Sequence, residues 1–146
     1  MSEQENLEDI LFYSLERSIK SYRQFAQQQL VKKGFEITID QWLLLKTVYD
    51  NPGQTQNQIA QTIFKDFASV TRMVELLVEG KYIIRNPHPT DRRRFHLKLS
   101  ELAVNLLDNM QLVIENNRRI ALNNISKQQI LQFHQVLDLI YNNCTA

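Results

Sequence analysis

Residues 64–99 read FKDFASVTRMVELLVEGKYIIRNPHPTDRRRFHLKL, and the pattern within them changes twice. Phe64-Lys65-Asp66 makes a tight corner, with Asp66 placed to cap a helix. From Phe67 to Glu79, Val70, Val74 and Leu77 recur at helical spacing, and Gly80 is expected as the left-handed residue that ends the helix. The period then drops to two. Tyr82 to Arg85 and Phe95 to Leu99 read as short strands, and Asn86 to Arg94 between them as an exposed, Pro-rich loop. A short helix is thus followed at once by a hairpin with three arginines at its tip.

Upstream, Thr55 and Gln58 form a capping-box pattern opening a helix that carries Ile59, Ala60 and Ile63. Thr38 and Gln41 form another, ahead of Trp42, Leu43, Leu45 and Val48, and Asn51-Pro52-Gly53 stops that helix. A long amphipathic helix is expected from about Leu7 to Val31, ended by Gly34. Downstream, Ser100 caps a fifth helix with Leu102, Leu106, Met110 and Val113 on one stripe and Leu107 and Ile114 beside it. A third box, Ser126 with Gln129, opens a last helix bearing Ile130, Phe133, Leu137 and Ile140. The fold class expected is all-α with a small β-wing: six helices and an antiparallel hairpin. Two short helices around a tight corner, followed by a basic hairpin, are the parts of a winged helix-turn-helix.

Composition bounds the function. The chain has 146 residues, a formal net charge of +1, 43% hydrophobic and 23% charged residues, which suits one soluble globular domain spanning residues 1–146. The acidic, polar N-terminus and the lack of a long apolar run argue against a signal peptide or membrane span, and one cysteine, Cys144, suits the cytoplasm. Global charge announces no nucleic acid, but its distribution does. Residues 65–98 carry eight basic against four acidic side chains, a local excess of +4 in a chain of +1. Arg92-Arg93-Arg94 alone would usually be a solvated surface; beside a helix-turn-helix it suits phosphates and the minor groove.

Enzyme chemistry is not expected, nor any metal or cofactor. His88, His96 and His134 have no ligand-like spacing, and the chain has neither a glycine-rich phosphate loop nor a nucleophile elbow.

On the helix that follows the corner, Ala68, Ser69, Thr71 and Arg72 are small or polar enough to enter a major groove. Arg72 either reaches guanine edges or holds an acidic wing residue. Gln56 and Lys65 join this set, with Asp91, Arg92, Arg93 and Arg94 in the wing. Bulky Phe67 either meets a thymine methyl or packs on Phe64.

The run Ser69 to Leu77, then Gly80, the Asp91-Arg92-Arg93 wing and Leu97 to Ser100 resembles the MarR family of transcription regulators, as does Asp40-Gln41-Trp42 upstream. Ala103 stands where many members have Gly. The resemblance implies a homodimer through helices at about 7–32 and 100–143, with residues 38–100 as a lobe that binds double-stranded operator DNA. In the family's wing the second residue after the Asp enters the minor groove, so Arg93 takes that part here, steadied by Asp91 with help from Arg72. The resemblance also implies a small aromatic effector, most often relieving repression, bound between lobe and dimer helices. Tyr13, Arg17, Trp42 and Lys46 lie on the elements that would line such a crevice, although aromatics at helical spacing are more often core. Peroxide sensing through a cysteine early in the first helix is disfavoured, because none stands there. Two readings without operator binding stay open: a protein–protein module and a ligand sensor.

Overall fold

The computed structural model describes residues 3–146. Six helices and one hairpin follow in order: α1 (Leu11–Lys32), α2 (Ile39–Asp50), α3 (Gln56–Ile63), α4 (Phe67–Glu79), β1 (Ile83–Pro87), β2 (Phe95–Leu99), α5 (Glu101–Ala121) and α6 (Lys127–Thr145). All three capping boxes form, at Thr38/Gln41, Thr55/Gln58 and Ser126/Gln129, with reciprocal bonds of 2.9–3.2 Å. Each satisfies two of the backbone groups that a helix start leaves unpaired. Ser100 caps α5 through the Ala103 N–H, and its hydroxyl donates to the Lys81 carbonyl at 2.7 Å, tying α5 to the end of α4.

Three boundaries differ from expectation. The first helix starts later: Leu7–Asp9 form a separate 3₁₀ turn, and extended Ile10 supplies no side-chain cap. Gly80 is not left-handed. Its φ is −73°, and Lys81 takes the left-handed position with φ 65°. The Lys81 and Tyr82 N–H groups then bond back to Val78 and Leu77, closing the end of α4 one residue later than the glycine suggests. Gly80 serves packing instead, since a Cβ there would lie 2.9 Å from the Tyr82 ring. Finally, β1 runs on through Asn86 and Pro87, which pair with His96 and Phe95. A proline is tolerated at the end of such an edge strand, so the loop shortens to residues 88–94.

The core lies between the helix-turn-helix, the hairpin and the inner faces of α1 and α5. Leu44, Leu45, Ile59, Val70, Val74, Leu77 and Met110 are all but inaccessible, and Ile83 and Leu97 of the hairpin join them. Burial of such side chains contributes roughly 1.5–3 kcal/mol each. Leu44 lies off the expected stripe of α2; α3, β2, α5 and α1 all pack on that helix, so more than one face is covered. On α5 the buried stripe is Ala103, Leu107, Met110, Ile114 and Asn117, while Leu102 is 52% exposed. Small Ala103 lets α5 approach the lobe closely, which turns the expected stripe by about one residue.

No residue of α6 is buried, and Leu131, Phe133, Val136 and Leu139 are exposed. Among the described residues no helix is long and apolar enough to cross a membrane.

Candidate nucleic-acid interface

The candidate interface is built on two ends, the start of α4 and the tip of the hairpin. Asp66 caps α4, accepting the Ser69 backbone N–H at 2.7 Å and its hydroxyl at 2.9 Å. These two hydrogen bonds hold the carboxyl below its ordinary value. Val70, Val74 and Leu77 fasten α4 to the core, which leaves Phe67, Ala68 and Arg72 exposed and Ser69 and Thr71 half-buried on the outer side. Gln56 reaches across from α3 to donate to the Thr71 hydroxyl at 3.1 Å, locking the two helices' outer faces together.

Phe64 closes α3 in a left-handed conformation (φ 60°) and is 89% exposed, and Phe67 is exposed as well. Both rings are therefore open to solvent.

Lys65 stands at the corner between α3 and α4. It pairs with Asp40 at 3.1 Å, and Arg23 of α1 bonds the same carboxylate. Burial pushes the Asp40 carboxyl up, but the hydrogen bonds and charges of Lys65 and Arg23 outweigh it and hold it below its ordinary value. Lys65 thus anchors the α3–α4 corner to α2 and α1, with its charge already partnered.

In the wing, the His88 N–H bonds the Arg94 carbonyl at 3.1 Å and the Arg94 N–H bonds that of Asp91 at 3.2 Å. Asp91 accepts the Arg93 backbone N–H at 2.9 Å, while its other oxygen faces the Arg94 guanidinium at 3.5 Å. Asp91 therefore positions Arg93 through the backbone and holds the side chain of Arg94. Arg72 takes no part; its guanidinium leans on Ser69 at 3.4 Å. Arg92 and Arg93 are exposed and face no carboxylate among the described residues.

Between α3, α4 and the wing lies a cleft of about 520 Å³, lined by Thr55, Gln56, Asn57, Phe67, Thr71, Arg85, Asp91, Arg93, Arg94 and Phe95. Arg85 of β1 brings its charge into this cleft. Its guanidinium lies 5.4 Å over the Phe95 ring, and its buried Nε has no hydrogen-bond partner. Strand alternation was the available signal, because Arg85 stands two residues from buried Ile83 and opposite Leu97.

A second cleft, about 250 Å³, opens between α1, α2 and α5, with Tyr22, Arg23, Trp42, Asn117 and Arg118 in its wall. Of the four residues expected around an effector, only Trp42 lines it. Arg17 sits 5.8 Å over the Tyr13 ring on α1, and Lys46 pairs with Asp50 at 2.9 Å and covers the Tyr49 ring. The helical turn places Tyr13 and Arg17 too far towards the N-terminal end of α1 to meet Trp42. No three His, Cys, Asp or Glu side chains come together as metal ligands among the described residues.

A helix-turn-helix flanked by an arginine-tipped hairpin defines a winged helix-turn-helix protein. Residues 34–94 match the model of the MarR family. Solved structures share the fold over nearly the whole chain. A probable transcriptional regulator from Pseudomonas aeruginosa is 24% identical with a TM-score of 0.81, covering 92% of this chain and 99% of its own. BpsR of Bordetella bronchiseptica, whose DNA binding is regulated by 6-hydroxynicotinic acid, is 16% identical with a TM-score of 0.85, covering 95% and 98%. A cysteine-to-serine mutant of E. coli MarR, solved with operator DNA, is 19% identical with a TM-score of 0.83, covering 95% and 99%. The chain thus resembles the MarR family of winged helix-turn-helix transcription regulators in the matched residues 34–94 and shares the fold of these solved structures over nearly its whole length.

Proposed function

We propose that the protein is a homodimeric repressor that binds operator DNA through α4 and the wing, and that a small aromatic ligand releases it. The observation that carries this reading is the cleft between α4 and the hairpin, where Arg85, Arg93 and Arg94 converge beside the outer face of α4. Its one carboxylate, Asp91, is occupied by the wing itself. Ala68, Ser69, Thr71 and Arg72 would meet base edges in the major groove, and Arg93 the minor groove, with Arg92 and Arg94 on phosphates. Gln56 supports Thr71. The lobe is residues 38–100, and the segments 7–32 and 100–143 supply the dimer helices.

The regulatory half draws on the second cleft. Trp42 offers a stacking face, and Arg118 offers a cation to an acid. BpsR, whose DNA binding responds to a small aromatic acid, has the same fold. A ligand wedged between α1, α2 and α5 would change how the lobes sit on the dimer helices. It needs to prefer the non-binding spacing by only a few kcal/mol to release DNA.

The test is to sequence the genomic DNA that co-purifies with the protein, then titrate the enriched duplex. Expected are a salt-dependent complex on that duplex and its release by a panel of aromatic acids and phenols. No affinity for any duplex at low salt would sink the DNA reading and favour a protein–protein module or a sensor. A complex that every compound in the panel leaves intact would sink the relief mechanism alone.

A further inference from the structure

The tip of the wing is folded around an imidazole. His88 Nδ1 accepts the Asp91 backbone N–H at 3.1 Å and shares a second contact with the Thr90 N–H at 3.2 Å. A backbone N–H can only donate, so Nδ1 carries no proton and the proton of the neutral ring is on Nε2. The half-buried ring stacks on His96 across the hairpin, with centroids 5.1 Å apart and planes within 7°. Asp91 then carries the order onward, to the backbone of Arg93 and the guanidinium of Arg94. His88 sets the position of Asp91, and Asp91 sets where the wing's arginines begin.

We propose that His88 is a proton-operated latch: neutral, it holds the Thr90–Asp91 turn closed; protonated at Nδ1, it loses both bonds and the tip opens. The proton must land on Nδ1, because Nε2 already bears one in the neutral ring; there it meets two N–H donors that cannot accept it, while the Thr90 hydroxyl, 3.3 Å away, can turn its oxygen to it. Histidine is the residue whose ordinary titration falls between about pH 5 and 8. The charged and titratable groups around it are Asp91 and Arg94 in the loop and His96 on β2; Tyr49 of α2 and Lys98 line the cleft that His96 shares. His96 makes the stack but none of the turn's bonds.

The consequence for DNA rests on the reading above. Opening the tip withdraws Arg93 from its aimed position, whereas the new imidazolium adds a charge that phosphates attract. The two effects oppose each other, and variants separate them. His88→Asp supplies an acceptor that stays unprotonated across this range. His88→Phe keeps an aromatic stack without any acceptor or charge.

The experiment uses ¹⁵N-labelled full-length protein at about pH 8 and about pH 5.5, the window in which an ordinary histidine changes charge. It reads the His88 Nδ1 shift, exchange of the Thr90 and Asp91 amides corrected for intrinsic rate, and affinity for a duplex selected from a random pool at the higher pH. Expected are an unprotonated Nδ1 at the higher pH, then, on acidification, amide exchange at least about tenfold faster and affinity about tenfold weaker, the scale of losing one or two ordinary hydrogen bonds. His88→Asp should be flat in both readouts, and His88→Phe loose at both pH values. A protonated Nδ1 at the higher pH overturns the latch, as does an equal pH response in His88→Asp. If no duplex binds at either pH, the DNA reading has failed, and amide exchange alone then decides the latch.

Discussion

Among single residues, the arginines of the wing differ in what holds them. Arg94 is paired with Asp91, and Arg85 is stacked on Phe95, but Arg93 is fixed only at its backbone. Its guanidinium is free to enter a groove. Arg93→Ala should weaken binding to the selected duplex and reduce the slope of log affinity against log salt by about one, the signature of one lost phosphate-neutralising charge. Ser69 and Thr71 substitutions should change which sequence is preferred while leaving that slope alone, because neither side chain carries charge. An unchanged slope in Arg93→Ala would move the wing's contact to another arginine.

Helix α4 depends on one cap for its orientation. Asp66 accepts two hydrogen bonds from Ser69, and Asp40, two elements away, holds the preceding corner through Lys65. Both carboxyls are held below their ordinary values in the folded protein. A depressed carboxyl contributes stability that is fully present above the unfolded-state value, about 3.9, and is lost as pH falls through the lower folded value. Acid should therefore loosen the helix-turn-helix from about pH 4 downward. Asp66→Asn keeps a capping oxygen but no titratable group. Thermal melts of that variant should depend less steeply on pH in the acid range than those of the wild type. Parallel acid curves would mean that the cap's charge contributes nothing.

Across the whole molecule, α1 and α5 bury one face against the core, whereas α6 buries no residue. A 19-residue helix with no buried residue is marginal in water on its own, yet α6 displays Leu131, Phe133, Val136 and Leu139 to solvent. Leu11, Phe12 and Ile19 of α1 and Leu112 of α5 are exposed too. A second copy covering these faces would put two wings on one duplex, half-sites about 34 Å apart. Sedimentation at micromolar concentration should report about twice 17.3 kDa. Phe133→Glu should shift the protein towards monomer and weaken operator binding roughly a hundredfold or more, through loss of the second contact. Circular dichroism would establish that its lobe stays folded, and a wild-type monomer would refute the dimer outright.

Local chemistry is what the chain disclosed without its fold. Each cap joins residues three apart, the α4 stripe recurs within one helix, and the wing is an alternation of period two, so the six helices, the hairpin and the position of the basic tip were legible from neighbours alone. The effector residues were read one helix at a time, and Tyr13, Arg17 and Lys46 do not line the cleft that Trp42 does. Tertiary structure alone decided the rest. The Asp40 pair ties Lys65 to α2 across 25 positions of sequence, α5 turns its stripe to seat Ala103, four neighbours bury Leu44, and the end of α4 shifts the left-handed residue to Lys81. In each case the deciding partner lies on another element or the choice depends on how a neighbouring ring packs, and a periodic pattern in one segment carries no record of which distant side chain will occupy the space beside it.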